Sequence, residues 1–292
     1  MNPKDTLFSR NRSMKIKGKI IDFSVPKVMG VLNVTPDSFY DGGRYTEKEK
    51  IVSKVKKMIL EGVDFIDVGA YSSRPGAAVV SYEEEIRRLS ETMKVLKSGF
   101  PAIIISIDTF RSGIARKMVE EYGADMINDI SAGDMDKEMF STIADLQIPY
   151  VMMHMQGTPQ TMQKNPKYDN VVKDIITVFS GKVEELKLLG VDDVILDPGF
   201  GFGKTLDHNY ELINGLGLFS VLNKPIMVGV SRKSIIGKLL GCTPDEALNG
   251  TVILNTVALM KGIDILRVHD VKEAVEAIKI VEKLKQVVST GS

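Results

Sequence analysis

Eight short runs rich in apolar and β-branched residues recur along the chain, each followed by a longer amphipathic stretch. No other feature constrains the fold as much. The runs are Val28–Val34, Asp64–Val68, Ile103–Ile107, Met126–Asn128, Pro149–Met153, Asp193–Leu196, Pro225–Val230 and Asp264–Val268. Most are apolar on both alternating faces, the pattern of parallel strands covered on both sides. The intervening stretches carry helical stripes, such as Ile86, Leu89, Met93 and Leu96, or Val271, Ala274, Val275, Ile278 and Val281. Capping patterns at Thr46…Glu49, Ser81…Glu84 and Thr243…Glu246 mark expected helix starts. Parallel neighbours need long crossover connections, so the alternation predicts a parallel sheet. Eight units favour closure into a single-domain α/β fold, the (β/α)8 TIM barrel; an open doubly wound sheet is the structural alternative. The length of 292 residues suits a barrel, which takes roughly 250. The barrel is expected over 27–286, with 1–26 as an N-terminal extension and 287–292 as a tail. Within the extension, Lys15–Ile20 and Ile21–Val25 are read as a hairpin closing the barrel's bottom.

Composition narrows the partners. Lys plus Arg and Asp plus Glu both number 38, which leaves no net field to gather nucleic acid or an anionic membrane. The single cysteine, Cys242, excludes an intrachain disulfide and a cysteine-based zinc site. The first residues lack the apolar region of a signal peptide, and no apolar run approaches the ~20 residues of a membrane span. The expectation is a cytoplasmic protein.

A polar residue ends or follows each run: Asn33, Asp67, Asp108, Asn128 with Asp129, His154, Asp197, then Ser231, Arg232 and Lys233, and last Arg267 with His269. In a barrel these ends share one rim, where barrel enzymes place their chemistry. Each alone has a plainer explanation, such as satisfying loop backbone or capping the next helix. Asp129 reads as structural, Tyr71 and the methionines as packing, and His154 and His208 stay open between the two. Jointly the rim carries carboxylates and amides beside Arg74, Lys233, Arg267 and His269. Carboxylates and an amide suit a flat heterocycle presenting N–H donors, whereas guanidinium and imidazole suit a phosphate or pyrophosphate. GFGKT at 201–205 ends like a phosphate-binding loop, but Pro198 stands where that motif needs glycine, and the GxGxxG spacing is also absent.

The segments MGVLNVTPDSFYDGG, SSRPGA, SIDT, INDISAG, LDPGFGFGK, GVSRKS and RVHD, in this order from about Val28 to Ile280, resemble the dihydropteroate synthases. The resemblance implies a TIM barrel that condenses 6-hydroxymethyl-7,8-dihydropterin pyrophosphate with p-aminobenzoate, giving 7,8-dihydropteroate and pyrophosphate. By motif it implies that Asp108, Asn128, Asp197 and Lys233 hold the pterin. Asn33, Arg267, His269 and Ser73 would bind pyrophosphate, with Asn33 also a ligand of Mg²⁺. Phe39, Ser73, Arg74, Pro75, Phe202, Lys233 and Ser234 would shape the p-aminobenzoate pocket. Asp41 lies on a first mobile loop, and Ser73, Arg74 and Pro75 on a second. Asp108, Asp197, Lys233, Arg267, His269 and Asp41 are the residues implied in catalysis. The second loop departs from the family's GGESTRPGA, having Tyr71 for glutamate and Ser73 for threonine. The resemblance also implies a homodimer, sensitivity to sulfonamides and small-molecule substrates alone. Two alternatives share the fold: a pterin-dependent methyltransferase, which needs no pyrophosphate site, and an inactive pterin-binding homologue, which would leave gaps in the polar ring.

Overall fold

Parallel pairing is forced by the helical crossovers, and all eight strands form as the alternation predicts. The computed structural model describes residues 13–34, 44–71 and 80–290. After a two-stranded hairpin, β1 (Ser13–Ile16) and β2 (Lys19–Asp22), come the barrel strands β3 (Lys27–Asn33), β4 (Phe65–Gly69), β5 (Ile104–Asp108), β6 (Met126–Asp129), β7 (Tyr150–Met153), β8 (Val194–Asp197), β9 (Met227–Val228) and β10 (Ile265–Val268). Helices α1 (Arg44–Glu61), α2 (Tyr82–Gly99), α3 (Ser112–Glu120), α4 (Met139–Leu146), α5 (Val171–Leu188), α6 (Leu206–Gly215), α7 (Ser234–Leu240), α8 (Leu248–Met260) and α9 (Val271–Thr290) cover them. The sheet runs β8-β7-β6-β5-β4-β3-β10-β9, all parallel, and one bridge between Leu196 and Ile226 joins its two edges. This is a (β/α)8 barrel in a single domain.

Alternation of side chains across each strand sorts the apolar residues into two cores. Val28, Leu32, Ile66, Val68, Ile105 and Ile107 point outward and pack with the helices, among them Leu89, Met93 and Leu96 of α2. Their neighbours Met29, Phe65, Ile104, Met126, Val151, Ile195, Met227 and Ile265, one from each strand, meet inside the barrel. Met14, Ile16 and Phe23 from the hairpin segment join that inner cluster and cover its lower end. The hairpin turns at Lys17–Gly18, both with positive φ (53° and 73°), as a two-residue turn of the primed type requires. The sequence reading put the break three residues later, at Ile20–Ile21, which instead lies inside β2. The Lys17 ammonium donates to the carbonyls of Pro101 and Ile103 at 2.6 and 3.1 Å, fastening the hairpin to the barrel.

Of the predicted caps, Ser81 accepts the Glu84 amide at 3.2 Å and starts α2. Thr46 falls inside α1 rather than before it. Thr243 and Glu246 do bond, both the amide and hydroxyl of Thr243 donating to the carboxylate, but they close a turn and α8 begins only at Leu248.

Candidate functional site

On five of the strands the inward face changes from apolar to polar along its length. On β4 it reads Phe65, Asp67, Gly69; on β5 Ile104, Ser106, Asp108; on β6 Met126, Asn128; on β8 Ile195, Asp197; on β10 Ile265, Arg267. The first of each set is in the apolar inner cluster, so the barrel has a dry floor with a polar layer above it. Ladder register then aligns that layer: Asn33 pairs with Gly69, Gly69 with Asp108, and Asp108 with Asn128. Gly69 is the gap in this row. A Cβ there would stand 3.4 Å from the Asp108 Cβ and 3.5 Å from both Asn33 Oδ1 and Asp108 Oδ2, so its absence opens space between the two side chains.

Arg267 reaches across the barrel into this layer. Its Nε donates to Asp67 Oδ2 at 2.7 Å and its Nη2 to Asp108 Oδ2 at 2.8 Å. Asp67, fully buried, also accepts from the Ser106 hydroxyl at 2.6 Å and the Asn128 amide at 3.0 Å. Two carboxylates thus share one guanidinium. Burial above all, then the neighbouring Asp67, push the Asp108 carboxyl well above its ordinary range, while Arg267 pulls the other way. Grouped by motif with Asn33 and His269 for an anion, Arg267 also lies between two carboxylates in the fold. Asp67 was noted there only as a strand-end residue, and its central position was missed. The period-two step from Phe65 through Asp67 to Gly69 is the signal that marks it as inward-facing.

The opposite side of the rim is built by β8, β9 and their loops. Asp197 is buried, accepts the Gly199 amide at 2.8 Å, and is held above its ordinary pKa by burial, against the pull of Lys233. Lys233 precedes α7, donates from Nζ to the Phe200 carbonyl at 2.7 Å, and stands 4.8 Å from the centre of the Phe202 ring. Burial lowers its pKa to about 8, with Asp197 opposing. Ser234 is exposed in the first turn of α7, beside Lys233. Next to Lys233, Arg232 adopts a left-handed φ of 54° and grips Asp270 with two bonds of 2.9 Å. Asp270 directly follows His269, so this pair ties the two loops together.

His269 stands at the rim, its amide donating to Ser231 Oγ at 3.2 Å. Its side chain reaches solvent, yet the surrounding protein desolvates it and Arg267 and Lys54 add repulsion; together they lower its pKa to about 4. It is therefore a neutral imidazole at pH 7. Asp129 accepts from the Ser131 amide and hydroxyl, the Gly133 amide and the Tyr150 hydroxyl, a wholly structural set. His208 caps α6 with Thr205. His154 is buried beside Lys204, a lysine to which the sequence reading gave no role. Tyr71 packs edge-on against Phe110, ring centres 5.5 Å apart, and accepts from Gln160 Nε2 at 3.4 Å. Phe39, Asp41, Ser73, Arg74 and Pro75 lie outside the described residues. Among those described, no group of three or more His, Cys, Asp or Glu side chains is arranged to hold a metal, and no helix is long and apolar enough to cross a membrane.

Residues 29–269 match the family described as pterin binding enzyme. The chain is 43% identical over 268 residues to the dihydropteroate synthase of Escherichia coli (strain K12), covering 91% of this chain and 94% of that one. Among solved structures it is similar to the Yersinia pestis dihydropteroate synthase in a sulfonamide drug complex, with a TM-score of 0.87 and 39% identity over 94% of this chain and 99% of the other. It is equally similar to the Xanthomonas albilineans dihydropteroate synthase with 4-aminobenzoic acid, at a TM-score of 0.86 and 36% identity over 95% and 99%.

The shared guanidinium gives the first prediction. Arg267→Ala leaves Asp67 and Asp108 buried without their cation, which costs about 3 kcal/mol of stability in urea unfolding at pH 8. A carboxyl whose pKa is raised in the folded state binds more protons folded than unfolded, so that loss shrinks as the pH falls from 8 towards 5. A loss that is independent of pH would contradict the charge argument.

Proposed function

The chain belongs to the dihydropteroate synthases among the pterin-binding enzymes, and from that membership we propose how its residues divide the reaction. It is a transferase. It condenses 6-hydroxymethyl-7,8-dihydropterin pyrophosphate with p-aminobenzoate to give 7,8-dihydropteroate and pyrophosphate. The observation that carries the residue reading is the polar layer over a dry floor, in which buried carboxylates and an amide line one wall and Lys233 the other.

The pterin lies in that layer. Asp108, Asn128 and Asp197 meet the N–H groups of the heterocycle, and Lys233 donates to its carbonyl oxygen. The pyrophosphate lies at the rim near Asn33 and His269, with Ser73 from the second loop. Arg267 serves both ends: Asp67 and Asp108 fix its plane, and its remaining N–H groups face the leaving oxygens. Neutral His269 donates one N–H to the anion, and the anion's charge in turn favours protonation of the ring.

Mg²⁺ fits this site as an ion carried with pyrophosphate rather than one caged by protein. Mg²⁺ keeps several waters and commonly takes one or two protein oxygens beside substrate phosphates, and Asn33 supplies such an oxygen beside Gly69. When bound it would neutralise charge on the leaving group.

Bond making and breaking need no covalent enzyme intermediate. The C–O bond to pyrophosphate breaks, positive charge develops on the pterin methylene, and the carboxylates of Asp108 and Asp197 stabilise it. The arylamine nitrogen then forms the new C–N bond and loses one proton to the departed pyrophosphate or to solvent. Departure before attack is the order this charge arrangement favours. Phe202, Lys233 and Ser234, with Phe39, Ser73, Arg74 and Pro75 by motif, take the aminobenzoate, and Asp41 joins the catalytic set by motif. A homodimer is supported by the large apolar side chains that α8 and α9 expose, among them Ile253, Met260, Ile280, Leu284 and Val287. A cytoplasmic location is supported by the single cysteine.

Pyrophosphate release from the pterin pyrophosphate, followed with a coupled assay in the presence of Mg²⁺, is expected to depend on p-aminobenzoate. Absence of aminobenzoate-dependent turnover would overturn the reading. A pH profile tests the role of Lys233 separately. With its pKa lowered to about 8, the donor is lost from there upward, so kcat/KM falls as pH rises above about 8. Lys233→Met lowers kcat/KM and flattens that limb; an unchanged alkaline limb in the variant would remove Lys233 from the role.

A further inference from the structure

The loop between β8 and α6 carries the two features that face the aminobenzoate side, the Phe202 ring and the Phe200 carbonyl that grips Lys233. Within 199–203 its backbone bonds to itself through the Phe202 amide, which donates to the Gly199 carbonyl at 3.1 Å. Gly199, Gly201 and Gly203 all have positive φ (73°, 84° and 61°), a conformation that glycine alone adopts without strain, and such a chain makes no strand or helix ladder. Side chains add the other bonds. Of five consecutive carbonyls, Phe200 accepts from Lys233, Gly201 from Gln163 at 2.8 Å, and Gly203 from the Tyr168 hydroxyl at 2.8 Å. The other two, Gly199 and Phe202, both accept from Lys204, at 2.9 and 3.0 Å. Lys204 braces the two ends of the turn beside that backbone bond.

We infer that Lys204 is a positioning residue for the aminobenzoate half of the site, holding from beneath the loop that carries the Phe202 ring. Its Nζ also lies 3.1 Å from His154 Nδ1 and 3.4 Å from the His154 carbonyl, and the side chain is almost wholly buried. Three carbonyls and an imidazole nitrogen surround it, an acceptor set suited to a three-donor ammonium. His154 fits the role of acceptor, because burial lowers its pKa to about 3 and leaves the ring neutral. The approach of the loop to this centre is close: a Cβ on Gly199 would overlap the His154 carbonyl oxygen, and one on Gly203 would stand 2.7 Å from the Gln156 oxygen. Lys204 thus offsets its own burial by bonding the carbonyls that the loop turns toward it. On the pterin side its charge is felt by Asp197 and Lys233, while its hydrogen bonds go to the loop carbonyls and His154.

This inference rests on the division of substrates proposed above, so the test has one arm that does not. Lys204→Met is expected to raise the KM for p-aminobenzoate about tenfold while the KM for the pterin pyrophosphate changes by less than about threefold. The chain has no tryptophan, so Phe202→Trp places a single reporter on the loop. Adding Lys204→Met to it is expected to increase acrylamide quenching of that tryptophan, with the far-UV circular dichroism unchanged. Lys204→Gln keeps two donors without the charge. It should move both readouts part of the way, and it replaces the methionine variant should that one not fold. If the two KM values move together, or quenching does not change, Lys204 has only a stabilising role and the inference fails. Failure of the substrate reading itself would appear differently, as a wild-type protein with no aminobenzoate-dependent turnover.

Discussion

The site is organised by one half-buried cation between two carboxylates. Arg267 comes from the last strand, Asp67 and Asp108 from two strands on the far side of β3, and the three meet inside the barrel within 2.8 Å. Charges of this kind are costly to bury singly, and the cost is offset only when each is paired and its remaining lone pairs are met. Ser106 and Asn128 meet those of Asp67. The network consequently fixes the plane of the guanidinium before any substrate arrives, and fixed dipoles and charges are what an enzyme needs where charge develops in the transition state.

The barrel makes this possible through period and register rather than through any single residue. Because side chains alternate, two cores form from the same strands, an outer one under the helices and an inner one sealed below by the hairpin. On five of the eight strands, β4, β5, β6, β8 and β10, the inner position changes from apolar to polar two residues further along. A ligand entering from the rim therefore meets a polar layer backed by a dry floor, where water cannot weaken the hydrogen bonds it makes. The Gly69 gap and the glycine loop at 199–203 then shape the room above that layer.

Much of this was legible in the sequence because it depends on local pattern. Eight apolar runs gave eight strands, and their polar ends gave Asn33, Asp108, Asn128, Asp197, Lys233, Arg267 and His269 as a ring. What escaped depends on contacts between distant residues. Asp67 sits mid-strand, and only the register of β4 on β5 and of β5 on β6 places it beneath Asp108 and beside Asn128. Lys204 resembled the end of a phosphate-binding loop, and its burial comes from the approach of residues 154–156, about fifty positions earlier. The hairpin turn was misplaced because Ile20 and Ile21 are both apolar, while the turn is decided by the φ of Lys17 and Gly18. Thr46 shows the same limit for a cap, since a hydroxyl three residues before a glutamate also occurs within a helix.

The account turns on Asp67, which lies beneath the substrate layer and acts through Arg267 and Asn128. Asp67→Asn keeps the shape of the side chain and removes its charge, so steady-state kinetics of this variant address the claim directly. The expected result is a fall of about tenfold or more in kcat/KM for the pterin pyrophosphate, with the fold intact by circular dichroism. An unchanged kcat/KM in a folded Asp67→Asn protein would contradict it, and would mean that the guanidinium is held well enough by Asp108 alone.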